Sequence, residues 1–169
     1  MRVAFDAVML SVYLHPGAKY PKPIERIPER IQALVDELQA AGSTIVLPTP
    51  VLSEFLVLAG SDGSTYLSEL TTTAVFDIQP FDIRAAVEAA AAQRKALDDG
   101  DKKSGTTARW QVVKVDRQFV AVAKVHGVSV VYSDDDGVKR LAEEAGMQVK
   151  GVGDLPVPPP DTASLFPAP

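Results

Sequence analysis

Residues 114–147 read KVDRQFVAVAKVHGVSVVYSDDDGVKRLAEEAGM, and the pattern in this stretch decides the fold. Val115, Phe119, Val122 and Val125 recur at helical steps of three and four, and the run from Val113 to His126 stops at Gly127. Val128–Tyr132 (VSVVY) follows as a β-branched strand, closed by the acidic turn Ser133-Asp134-Asp135-Asp136. Val138, Leu141 and Ala142 then mark a helix that ends at Gly146, and Met147–Val152 suits a last edge strand.

The same alternation extends toward the N-terminus. Val3–Asp6 is a short apolar run fit for a buried strand, Thr44–Leu47 (TIVL) is a second, and Ala74–Ile78 is a weaker third. Between them, Ile27, Ile31, Leu34, Val35 and Leu38 define an amphipathic helix, with Pro28 in its first turn and Gly42 at its exit. Val51–Ala59 and the alanine-rich Asp82–Leu97 are predicted helices too. Strands separated by helices imply βαβ units, so the expected class is α/β: a three-layer α/β/α sandwich with a mostly parallel central sheet. Two segments fall outside this scheme. One is the Pro-rich loop His15–Pro23 (HPGAKYPKP), after a first helical turn or two. The other is Pro156–Pro169, which holds six of the 13 prolines and is expected to be an extended or disordered tail. The division expected is a domain over residues 1–152 and a proline-rich C-terminal tail over 153–169.

Composition narrows the chemistry. With 169 residues, 46% apolar and 23% charged, the chain has the balance of one soluble domain with an ample core. The absence of cysteine removes disulfides, thiolate metal sites and cysteine nucleophiles. The longest uncharged run, between Glu37 and Glu54, is interrupted by Gly42, Pro48 and Pro50, so no membrane span is expected. Asp6 follows Arg2 too closely for a signal peptide, and the expected location is the cytoplasm. A formal charge of −5 argues against a broad nucleic-acid surface. The one local basic run is Lys102, Lys103, Arg109 and Lys114, whose ordinary reading is solvated surface charge.

In open α/β sheets the site lies at the carboxyl ends of the strands. Asp6 ends the first strand, Glu54 lies in the first turns of the helix after the second, and Ser133–Asp136 follow the fourth. Asp116, near the start of the helix that precedes the fourth strand, returns to the same edge. Each has a bland role open to it: Asp116 complementing a helix dipole, Asp134–Asp136 capping a helix, Glu54 at the surface. Asp6 is hardest to dismiss, because an unpaired carboxylate in an apolar strand costs several kcal/mol. Four ionised carboxylates at ~5 Å repel by roughly 3 kcal/mol per pair at an effective dielectric near 20. A divalent cation is the natural compensation, and an all-oxygen donor set without histidine favours Mg²⁺ or Mn²⁺. The chemistry implied is metal-assisted phosphodiester hydrolysis. His126 sits at the far end of its helix, His15 lies in the Pro-rich loop, and no Gly-x-Gly-x-x-Gly, P-loop or Gly-x-Ser-x-Gly pattern is present.

The ordered set VAFDAVML, PTPVLSEFL and the 114–147 stretch, followed by a short last strand, resembles a PIN domain over roughly residues 1–152. The resemblance implies a compact α/β/α ribonuclease using Mg²⁺ or Mn²⁺ held by three or four acids. It places the first three acids at Asp6, Glu54 and Asp116. The fourth falls in the Ser133-Asp134-Asp135 pattern, at Asp135, with Asp134 and Asp136 as accessory or alternative ligands and Ser133 orienting a ligand or water. Many bacterial members are toxins of toxin–antitoxin pairs and form homodimers, so the partners implied are RNA, an antitoxin protein and a second copy. Beside such a site, Lys102, Lys103, Arg109 and Lys114 would hold substrate phosphates. Trp110 is then either a core residue or a platform for a base. A second reading, drawn from the Ala7-Val8 pair after Asp6, is a non-catalytic module binding RNA or protein. A small-molecule phosphohydrolase is a third, which the basic loop and long insertions suit less well.

Overall fold

Strand residues in this chain alternate between two apolar cores, and that alternation explains the architecture. In the computed structural model, which describes residues 1–159, five strands form one all-parallel sheet. They are β1 (Arg2–Phe5), β2 (Thr44–Pro48), β3 (Phe76–Gln79), β4 (Val130–Tyr132) and β5 (Gln148–Lys150), in the spatial order β3-β2-β1-β4-β5. Val3 pairs with Ile45 and Val130, and Ala4 with Val46 and Val131. Side chains on a strand point to opposite faces in turn. Val3, Phe5, Ile45, Leu47, Val130 and Tyr132 therefore enter one core, and Ala4, Val46 and Val131 the other.

Helices cover both faces. The first core is closed by α1 (Ala7–Leu14), α2 (Ile27–Ala40), α3 (Thr49–Ala59) and α4 (Gly63–Thr72), through residues such as Leu10, Ile31, Val35, Phe55 and Leu70. The second is closed by α6 (Trp110–Val125) and α7 (Asp136–Glu144), through Phe119, Ala123, Val138 and Leu141. Helix α5 (Ile83–Asp98) packs outside α6 at Ala85, Ala121 and Val122. Each fully buried large apolar side chain of this kind is worth about 1.5–3 kcal/mol of transfer free energy, and both layers are built of apolar residues.

The structure departs from the sequence pattern in three places. Helix α4 has no periodic signal, because GSTYLSELTT opens on glycine, is rich in Ser and Thr, and buries only Gly63 and Leu70. Helix α6 begins at Trp110, so Asp116 lies in its second turn instead of near its start. Residues 152–159, partly within the expected tail, fold back on α2: Val152–Asp154 forms a 3₁₀ turn, Leu155 joins the first core, and Arg26 Nη1 donates to the Pro158 carbonyl at 2.7 Å. Residues 160–169, which make up most of the expected extended or disordered tail, lie outside the described residues. Among the described residues no helix is long and apolar enough to cross a membrane.

Candidate functional site at the carboxyl edge of the sheet

The chain leaves β1 toward β2 on one side and leaves β4 toward β5 on the other, so the β1/β4 junction is the point where the strand order reverses. Asp6 and Ser133 stand directly beyond these two strands. The Asp6 amide still donates to the Tyr132 carbonyl at 3.2 Å, which fixes the backbone where the side chain departs. Its carboxylate caps α1, Oδ1 accepting from the Met9 amide at 2.7 Å. Asp6 is only 7% exposed. Burial pushes its carboxyl up to about 6, and the charge of Asp135 adds to the rise against hydrogen bonds from Met9, Ser133 and Val8. Ser133, 2% exposed, stands beside Asp6 and lowers its carboxyl, while Ser133 Oγ accepts from the Asp135 amide at 3.0 Å.

Helix α3 carries Glu54 on the neighbouring strand's exit, and α6 brings Asp116 in from the opposite layer. Partial desolvation raises the Glu54 carboxyl, and the charge of Asp135 raises it further. Asp116 is half-buried and is pushed up to about 7, by burial first and then by the charges of Asp135, Glu54 and Asp6. None of Asp6, Glu54 and Asp116 forms an ion pair among the described residues. Asp135 acts on all three through its charge. It caps α7, Oδ1 accepting from Gly137 at 2.7 Å and Val138 at 2.9 Å. Gly137 separates it from Asp116: a Cβ there would meet Asp135 Oδ1 at 3.0 Å and Asp116 Oδ2 at 3.3 Å.

Asp134 has a different environment. Its carboxylate accepts from the Tyr20 hydroxyl, from Lys22 Nζ at 3.0 Å and from the Val152 amide at 2.9 Å. Against a burial effect that pushes it up, these bonds hold its carboxyl below the usual range. Asp136 is an exposed first residue of α7 with no side-chain partner among the described residues. Of the basic run, Lys102 Nζ lies 5.6 Å from the Trp110 ring centroid, Arg109 occupies the N-cap position of α6, and Lys103 and Lys114 lie nearby on the loop and helix. None of the four forms an ion pair among the described residues. Trp110 is half-buried, with Arg117 also over its ring at 5.6 Å, so it is neither a full core residue nor an open platform.

Tyr20 and Lys22 belong to the surroundings of the site, and Arg117 to the support of the neighbouring loop, without a signal in the sequence. The loop HPGAKYPKP gives no indication of where it lands. Arg117 is 4% exposed and donates to Gln93 at 2.8 Å and Ser104 at 3.1 Å, which anchors the loop that carries Lys102 and Lys103. Its position one residue after Asp116 is visible, but a buried guanidinium has no sequence signature of its own.

Among the described residues no group of three or more acidic or histidine side chains is gathered closely enough to hold a metal ion as it stands. The donor chemistry nevertheless suits a hard divalent cation: oxygen ligands alone, and a buried carboxylate, Asp6, with hydrogen-bond donors but no counter-charge. Asp6, Glu54 and Asp116 each lie within range of the Asp135 charge across this edge, without being gathered into a ligand shell.

Comparison with known proteins adds the following. A PIN domain family model matches residues 25–144, a span that includes Glu54, Asp116 and the 133–136 turn. Three solved structures share the fold. VapBC2 from Rickettsia felis, bound to a DNA fragment from its promoter, is 12% identical, with 89% of this chain and 98% of that chain covered and a TM-score of 0.61. DNA-bound VapBC from Salmonella typhimurium is also 12% identical, with 90% and 98% covered and a TM-score of 0.60. VapBC-1 from nontypeable Haemophilus influenzae is 13% identical, with 90% and 98% covered and a TM-score of 0.54. No curated protein matches the sequence. A match over more than half of the chain, on a five-stranded all-parallel sheet, establishes that this protein belongs to the PIN domain family.

Proposed function

We propose that this protein is a metal-dependent endoribonuclease and that Asp6, Glu54, Asp116 and Asp135 form its acidic centre. The observation that carries the reading is that one charge, on Asp135, acts on the other three carboxyls. Such crowding without a cation is a stored repulsion that a divalent ion relieves. Mg²⁺ or Mn²⁺, when bound, supplies a water of lowered pKa and neutralises charge on a phosphodiester. The chain's own residues do the rest. Asp116, pushed up to about 7, would give up a proton to act as a ligand near neutral pH, and Asp6, pushed up to about 6, would do so in slightly more acid solution, which makes binding pH-dependent. Glu54 and Asp116 would complete the donor set beside Asp6. The Ser133 hydroxyl, beside Asp6, favours its ionised form. Lys102, Lys103, Arg109 and Lys114 engage backbone phosphates without reading sequence. Water attacks phosphorus and the bond to the 3′ oxygen breaks, so the fragments carry a 5′-phosphate and a 3′-hydroxyl.

The test is cleavage of single-stranded and structured RNA by the purified chain with Mg²⁺ or Mn²⁺. Glu54→Gln and Asp116→Asn should each lower turnover by orders of magnitude while the far-ultraviolet spectrum stays native. Equal rates for wild type and Asp6→Asn, or no cleavage of any substrate, would count against the reading.

We further propose an antitoxin partner, because the three structures compared are VapBC complexes. A groove between α1, α3 and α4, lined by Val8, His15, Phe55, Leu58 and Tyr66, suits an apolar segment of such a protein. Ile83 and Val87, one turn apart on α5 and 84% and 65% exposed, suit contact with a second copy of the chain.

A further inference from the structure

We infer that Tyr20 and Lys22, on the Pro-rich loop between α1 and α2, are positioning residues of the acidic centre. By holding Asp134 on one side of the 133–136 turn, they leave Asp135 facing Glu54 and Asp116 on the other. This inference rests on the nuclease reading above.

Three consecutive aspartates follow β4, and nothing in their own sequence decides which enters the site. Asp135 has extended backbone, φ −79° and ψ 121°, and its carboxylate turns back to cap α7, whereas the Asp134 carboxylate is bound by a separate set of donors. The side taken by Asp134 is fully furnished. Tyr20 Oη and the Val152 amide donate to Oδ2, and Lys22 Nζ donates to Oδ1 at 3.0 Å. These donors come from two segments remote in sequence, the 15–23 loop and the turn after β5.

Gly151 supplies an independent sign that this seat is shaped for the carboxylate. Its backbone, φ −87° and ψ 171°, is open to any residue, so its glycine is not explained by conformation. A methyl group there would collide with Asp134 Oδ1.

Charge points the same way. Lys22–Asp134 is the one ion pair made by the acids of this edge among the described residues. Lys22 pairs directly with the aspartate that faces away, and it reaches Asp135 and Asp136 only through longer-range attraction. Asp135 then spends Oδ1 on the α7 amides, and Oδ2 has no protein donor among the described residues. Freed from its clamp, Asp134 is an additional anion on a turn that no longer has a fixed orientation.

Mn²⁺ titration of the full chain, with free Mn²⁺ counted by electron paramagnetic resonance, tests this directly. Tyr20→Phe/Lys22→Met is compared with Gly151→Ala, which keeps both donors and displaces the carboxylate by bulk. Melting curves in EDTA accompany each. Supporting groups of this kind change metal affinity by about 10–100-fold, so both variants should bind Mn²⁺ at least about tenfold more weakly, and Lys22→Arg should retain most of the affinity. Should the double variant fail to fold, Gly151→Ala decides. Variants that melt lower yet bind Mn²⁺ as the wild type does would reduce Tyr20 and Lys22 to structural roles and overturn the inference, leaving the nuclease reading intact. A wild type that binds no Mn²⁺ would remove the nuclease reading and this inference with it.

Discussion

Replacing Asp6 by asparagine should make the metal-free protein more stable at neutral pH and abolish its response to Mn²⁺. Asp6 is 7% exposed, and its carboxyl is raised from 3.8 to about 6, chiefly by desolvation. A carboxyl whose folded value lies above its unfolded one favours the native state fully only below the unfolded value, and the advantage is lost as pH rises through the folded value. Wild-type stability should therefore fall between about pH 4 and pH 6.5. At 1.36 kcal/mol per unit the loss is about 3 kcal/mol. Asparagine keeps the size and can still accept from the Met9 amide as a helix N-cap, but carries no charge to desolvate. In EDTA at pH 7.5, Asp6→Asn should melt higher than wild type, each kcal/mol being worth about 2–4 °C for a domain of this size. At pH 4.5 the two should converge. Added Mn²⁺ should raise the wild-type Tm, by mass action on the folded state alone, and leave Asp6→Asn where it was. Calorimetric or fluorescence melts across this pH range measure all of it. An Asp6→Asn protein that melts below wild type at pH 7.5 in EDTA would refute the argument, since Asp6 would then be a net stabilising charge.

Gly137→Ala should separate stability from binding at a single methyl group. Alanine favours a helix by about 1 kcal/mol over glycine, yet its Cβ would press on Asp135 Oδ1 and Asp116 Oδ2 at 3.0 and 3.3 Å; Tm should hold or rise while Mn²⁺ affinity and turnover fall, as parallel melts and titrations would show. Neutralising Lys102, Lys103, Arg109 and Lys114 one at a time should weaken RNA binding to a similar degree for unrelated sequences and reduce the salt slope by about one for each phosphate left without its cation; filter binding at several salt concentrations reads this, and an unchanged slope would assign those cations to the solvent. Arg117→Met should loosen the loop that Ser104 anchors and raise the KM for RNA with little effect on Mn²⁺ affinity.

Most of the fold is legible in the sequence because its signals are local. The strand at Val128–Tyr132 and the helices on either side of it differ in period, and period survives without knowledge of neighbours. The alternation of strands with helices then leaves little choice but a parallel sheet covered on both faces. Helix α4 is not legible for the converse reason. Its Ser and Thr side chains bond back to carbonyls one turn earlier, as Thr71, Thr72 and Thr73 do, and it meets the core mainly through Leu70. Its helicity is a property of where it is docked more than of its composition.

The acidic edge is legible in outline because a parallel sheet delivers the ends of all its strands to one side, whatever the loops do. Asp6, Glu54, Asp116 and the 133–136 turn can be assigned to that side by counting elements alone. Which aspartate of the turn faces the others cannot, because adjacent residues on extended backbone alternate sides and a one-residue slip exchanges them. The choice turns on Tyr20, Lys22 and Val152, none of which lies near the turn in sequence. A site can therefore be located from strand order while its ligands are chosen by loops whose path depends on the completed fold. In this chain the insertion least like a functional motif, HPGAKYPKP, is the one that takes Asp134 away from the centre.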